Sequence, residues 1–173
     1  AEHLQNQGRV PEAADKLEQS LKIKSDVAEN WAALAMLRQP ENRYGEVVIA
    51  ASKALELDPA AVAPRLSRAI AYSQAAQWDR GLSDYREIDK SMPDNPFVLL
   101  GLGACLAGLG EFDEALHVLR KALQIKPDLA ELKLDIALVL ASLGRIEDAL
   151  YDFEVLLRAS DLPKTVRETV VIA

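Results

Sequence analysis

The sequence predicts an all-α fold, an α-solenoid of stacked helix-turn-helix units, and three observations carry that prediction. The chain repeats every 34 residues: read at that interval from Ala13, it gives Ala13, Val47, Gly81, Ala115 and Ala149, small at each station. A turn slot in the same register holds Gly8, Asn42, Ala76, Gly110 and Gly144, and an apolar slot just after it holds Val10, Tyr44, Trp78, Phe112 and Ile146. Composition agrees, because half of the residues are apolar yet only 5% are aromatic, which suits helices packed at close range through Ala and Leu. Internal repeats of roughly 20–50 residues signal stacked supersecondary units.

Residues 1–27 form the tail of one unit, 28–61, 62–95, 96–129 and 130–163 are full units, and 164–173 begin a further helix. The whole of 1–173 is one array, and both ends fall inside repeats, as expected of a segment of a longer protein. Near the ends of the first three full units stand Pro59, Pro93 and Pro127, with Ser25 and Asp161 in the same slot of the outer units. Proline there ends one unit and blocks fusion with the next helix.

Taken in order, each full unit reads as two helices. In 28–61, Pro40 predicts a first helix that stops about a turn early, with Glu41 and Asn42 making the turn. In 62–95, Arg65 and Arg68 replace two usually apolar residues. In 96–129, Pro96 sits at a helix start, where no donor is required. Its second helix places Ala115, Leu116, Leu119, Ala122 and Leu123 on one face. The acidic pairs Asp113-Glu114 and Glu147-Asp148 open second helices, where the helix dipole favours negative charge. Gly101 and Gly108 fall in one first helix beside Gly103, which has a packing explanation, and each costs that helix about 1 kcal/mol relative to Ala. Two explanations stand: close backbone approach, or a small-residue floor for a ligand side chain.

The pattern resembles the tetratricopeptide repeat family. The residues that carry the likeness are Leu99, Leu102, Gly103, Leu106, Gly110, Phe112, Ala115, Leu119, Ala122 and Pro127 in 96–129. Trp31, Leu34, Ala35, Tyr44, Ala54 and Pro59 repeat it in 28–61, and Ile136, Ala137, Leu140, Gly144, Ala149 and Phe153 in 130–163. The resemblance implies a right-handed solenoid and a protein–protein interaction scaffold, whose first helices line a concave groove for a partner's peptide or helix.

Carried over by register, the groove candidates are Glu29, Ala32, Ala33 and Met36 in the first full unit, then Ala63, Leu66, Ser67, Ile70 and Gln74. The next two units contribute Phe97, Leu100, Gly101, Ala104 and Gly108, then Glu131, Leu134, Asp135 and Leu138. One subfamily grips the C-terminal carboxylate of chaperones with cationic side chains. Here the matching places hold Leu66, Ile70, Gly101, Glu131 and Asp135 in one frame and Ala32, Met36, Ser67, Phe97 and Gly101 in the other, and neither supplies a cationic clamp. A second implied reading is a recruiting arm of a larger enzyme of the glycosyltransferase kind, or of a bacterial outer-membrane export machine. The segment from Asp161 to Arg167 is weakly similar to the latter.

Other functions find little support. Net charge is −7 and no unit is strongly basic, so the electrostatic term that drives phosphate binding is absent and nucleic acid is not an expected partner. The longest apolar run, Phe97 to Gly110, falls short of the about 20 residues that cross a bilayer, so no direct membrane insertion is expected. His3 and His117 lie in different units without ligands at metal spacing, and Cys105, the sole cysteine, occupies a packing slot. Gly101 and Gly103 follow no strand and precede no Gly-Lys-Ser/Thr, so they do not read as a phosphate loop. No catalytic residue, cofactor site or metal site is predicted, and the expected partner is a protein or peptide. The uncapped repeat ends leave self-association open.

Overall fold

The computed structural model describes residues 2–158 together with 163, 164, 166, 168 and 169. Among the described residues the regular structure is helical: α1 (Glu2–Ile23), α2 (Ala28–Arg38), α3 (Tyr44–Leu57), α4 (Val62–Gln74) and α5 (Trp78–Ser91) come first. α6 (Pro96–Gly108), α7 (Phe112–Ile125), α8 (Ala130–Ser142) and α9 (Ile146–Arg158) follow. The fold is therefore the all-α stack of helix-turn-helix repeats expected from the register. The chain groups into two compact units, Ala1–Asp84 and Tyr85–Ala173, divided within α5. Ala1 and Asp161, to which the register gives a first-helix and a proline-slot position, lie outside the described residues, as does part of 164–173.

The turn slot is a column of left-handed residues. Asn42, Ala76, Gly110 and Gly144 have φ of 57°, 54°, 81° and 75°. At the ends of α4, α6 and α8 the same pair of hydrogen bonds recurs. Gln77 N donates to Tyr72 O (2.9 Å) and Ala76 N to Ser73 O (3.0 Å). Glu111 and Gly110 donate likewise to Leu106 and Ala107, and Arg145 and Gly144 to Leu140 and Ala141. This Schellman geometry satisfies two of the carbonyls a helix end leaves open, and it requires positive φ at its hinge. Glycine accepts that conformation freely, while Ala76 holds it against steric resistance.

The shortened helix is present too. α2 ends at Arg38, Pro40 lies in the 3₁₀ turn Gln39–Glu41, and Asn42 closes it through its N–H to Gln39 O (3.2 Å). At α6, Pro96 takes the first helical position and Asn95 caps it, its side chain accepting from Phe97 N (3.0 Å) and Val98 N (3.3 Å).

The register fails at the first turn. α1 runs unbroken through Gly8, where a turn is expected. Ala13 is exposed and Ala14 is fully buried, so the packing face of α1 is set one residue later than in the other units. One residue rotates a helical side chain by about 100°, enough to exchange an inward for an outward position. Val47, Gly81, Ala115 and Ala149 are buried as the small-residue column requires.

Within the first unit Ala14, Leu21, Leu34, Ala35, Val47, Ala50, Ala51 and Ala71 form one core, with Trp31 and Tyr44 against it. The predominance of alanine lets helix axes approach closely. Cys105 is fully buried and unbridged, consistent with a packing role.

Candidate functional site

The two arginines that break the apolar register have partners. Leu34, Leu102 and Ile136 occupy the slot of Arg68 in the other units and are all buried. Arg68 instead bridges helices: its Nε and Nη2 donate to the two oxygens of buried Asp84 (2.7 Å each), and Nη1 donates to Ser52 Oγ (3.1 Å). The bidentate pairing raises the guanidinium's proton affinity against the cost of burial. Arg65 donates to Pro59 O and lies 3.8 Å from Asp84.

Arg38 is a third such replacement, one the sequence reading did not single out. Its register equivalents include Leu106 and Leu140, both buried. Arg38 is only 3% exposed, and its guanidinium meets Asp15 (2.7 Å), Glu18 (2.8 Å), Glu41 (3.0 Å) and Glu46 (3.5 Å). The hydrogen bond to Glu18 does most to raise its proton affinity. Charge in a column otherwise of leucine and tyrosine was the available signal. Beside it, Leu21, Trp31, Leu34, Ile49 and Ala50 line an open cavity of about 420 Å3 in the first unit. The Trp31 indole N–H donates to Ser25 O (2.8 Å), which fixes that ring.

In the second unit a smaller cavity, about 210 Å3, opens between α6 and α8. Gly103, Ala104 and Ala107 give its α6 side, Phe112 and Leu119 of α7 its base, and Asp135, Leu138, Val139 and Ser142 its α8 side. Gly103 lets the base close up, because a Cβ there would stand 2.5 Å from Leu119. Three groove candidates, Ala104, Asp135 and Leu138, thus meet at one cavity.

Asp135 is its chemically distinctive group. The carboxylate is half-buried, and no hydrogen bond or ion pair holds it among the described residues. Burial pushes its pKa up to about 6, with the negative charge of Glu131 as the second cause. The Ser142 hydroxyl spends its proton on Leu138 O (2.9 Å), leaving its oxygen as an acceptor.

The other groove candidates lie elsewhere. Leu134 is buried in a cluster with Leu156 and Val166, so it offers core packing rather than surface. Gly101 is also taken up by packing: a Cβ there would collide with the ring of Tyr85. Of the two explanations for the extra glycines, close approach holds at Gly101, and Gly103 packs on Leu119 as expected. Phe97 is 57% exposed, with Lys126 Nζ 5.2 Å from its ring centroid. Leu100 and Glu131 are half-buried in this unit but do not line the cavity, and Leu66 and Ile70 are half-buried on α4 of the first unit. Met36, at 58% exposure, stands free on α2.

A tetratricopeptide repeat family model matches residues 106–150, the stretch from the end of α6 into α9. Those residues lie in the 34-residue register that the full units share, and over them the chain is similar to tetratricopeptide repeats. Solved tetratricopeptide-like structures share the fold. MamA from Desulfovibrio magneticus RS-1 is 15% identical with TM-score 0.82, covering 93% of each chain. MamA of strain AMB-1 is 24% identical with TM-score 0.76, over 86% of this chain and 88% of that one. TTC0263, a thermophilic tetratricopeptide protein of Thermus thermophilus, is 20% identical with TM-score 0.73, over 98% of this chain and 93% of that one. No curated protein sequence matches this chain. No described helix is long and apolar enough to cross a membrane.

Proposed function

We propose that this tetratricopeptide array is a protein-interaction scaffold that holds a segment of a partner protein on the first-helix face of its second unit. One observation carries the reading: the α6 side of the cavity between α6 and α8 presents the small residues Ala104 and Ala107, which leave room for an inserted side chain. Burying the apolar part of one side chain there contributes about 1.5–3 kcal/mol, a tenfold or larger effect on affinity.

The probe is a displayed library of random twelve-residue peptides, selected against the purified chain. Peptides that bind should shift the amide resonances of Ala104, Leu138 and Ser142, and Ala104→Met should abolish their binding while helix content stays unchanged. Binders that ignore Ala104→Met and leave those resonances in place would refute this face as the docking surface. The reading as a recruiting arm of a larger enzyme or export machine concerns sequence beyond these units and has no specific support within them.

A further inference from the structure

We propose that the α6–α8 cavity is a receptor for one basic side chain, lysine or arginine, presented by the partner segment; this rests on the scaffold reading above. The argument begins with hydrogen-bonding capacity. The cavity's side chains offer acceptors, the Asp135 carboxylate and the Ser142 oxygen, and no free donor, since the one hydroxyl proton is committed to Leu138 O. A ligand group that satisfies it must therefore bring donors.

Charge narrows the choice. α6 carries no charged residue from Pro96 to Gly108, and the cavity residues of α7, Phe112 and Leu119, are apolar. Glu131, one turn before Asp135 on α8, adds a second negative charge, and Arg145 is engaged with Asp148. Unit 130–163 holds seven acidic and three basic residues. An acidic insert would meet like charge, and a purely apolar one would seal Asp135 away from water without a partner. An ammonium or guanidinium forms the strong, charge-assisted bond that the carboxylate lacks.

Size and lining fit a cation on an aliphatic stem. The cavity, about 210 Å3, is smaller than the about 300–1,000 Å3 of small-molecule sites, so it suits a single side chain. Ala104, Ala107 and Leu138 give the stem an apolar wall while the head reaches Asp135.

The same peptide library supplies the test. Each peptide that Ala104→Met blocks is synthesised with its lysines or arginines replaced one at a time by norleucine, which keeps the stem and removes the charge. Fluorescence anisotropy then compares the native chain, Asp135→Ala and Asp135→Asn, with circular dichroism as the folding control. The expected result is one basic residue whose replacement weakens native binding by about tenfold or more, yet changes binding to both Asp135 variants by less than about twofold. Peptides blocked by Ala104→Met that tolerate norleucine equally on all three proteins would overturn the basic-receptor proposal and leave the scaffold reading standing. If Ala104→Met blocks no selected peptide, both fall together.

Discussion

Replacing Asp135 by Ala should stabilise the chain at neutral pH, and the gain should shrink as the pH falls. In the native protein burial lifts this carboxyl from its ordinary 3.8 to about 6, with Glu131 adding to the effect. A tenfold difference in proton affinity corresponds to about 1.36 kcal/mol. The folded state binds the proton more tightly than the unfolded chain, so its stability is complete below about pH 4 and is lost as pH rises through about 6. Linkage then places the penalty near 3 kcal/mol at pH 7.5 and about 1 kcal/mol at pH 4.5, as a ceiling that residual solvent contact lowers. Alanine is also the better helix former, by about half a kcal/mol, but that gain is the same at both pH values. The difference between the two measurements, about 2 kcal/mol at most, therefore isolates the charge. Urea unfolding followed by far-UV circular dichroism measures it. A variant stabilised equally at pH 7.5 and 4.5, or destabilised at both, would show that Asp135 is not held at a desolvation cost. On the basic-receptor proposal, part of that cost is recovered when a partner's cation pairs with the carboxylate.

Four further outcomes follow from the geometry. Ala76→Gly should raise stability by about 0.5–1 kcal/mol, because relief of about 1–2 kcal/mol of left-handed strain exceeds glycine's entropic cost of about 0.4–1 kcal/mol; an unchanged or lower melting temperature would count against the strain. Arg68→Met should cost up to about 3–5 kcal/mol by leaving buried Asp84 only the longer contact to Arg65, and adding Asp84→Leu should recover most of it; a double variant no better than the single one would place the loss in packing instead. Gly101→Ala should destabilise despite its better helix propensity of about 1 kcal/mol, since overpacking against Tyr85 costs about 1–3 kcal/mol, and Tyr85→Leu should relieve it. Hydrogen exchange should be slower in α7 than in residues 10–23, because regular neighbouring repeats stabilise one another; the reverse order would contradict that.

From α2 onward the sequence by itself determined the helices, their turns and their spacing. Those features depend on short-range causes: a left-handed hinge at Gly110 and Gly144, a proline that ends α2 early at Arg38, a capped Pro96 start, and a small residue wherever two helices of one repeat cross. Each acts within a few residues, so a 34-residue period records it faithfully. Part of the candidate site was legible on the same terms, for Ala104, Asp135 and Leu138 come to one cavity from their register positions alone. Tertiary structure decided the rest. Leu134 and Leu138 lie one turn apart on the same helix, yet one is sealed by Leu156 and Val166 while the other lines the cavity. Gly101 is filled by a tyrosine ring from the preceding helix, and Arg38, in a leucine slot, is held by Asp15 and Glu18 from α1 and by Glu41 and Glu46 nearer in sequence. α1 carries the repeat's glycine at its turn slot and still runs straight through it. Periodicity assigns a residue to a face of its own helix. Whether that face is closed, open or charged depends on side chains contributed by other helices, and those enter only when the helices pack.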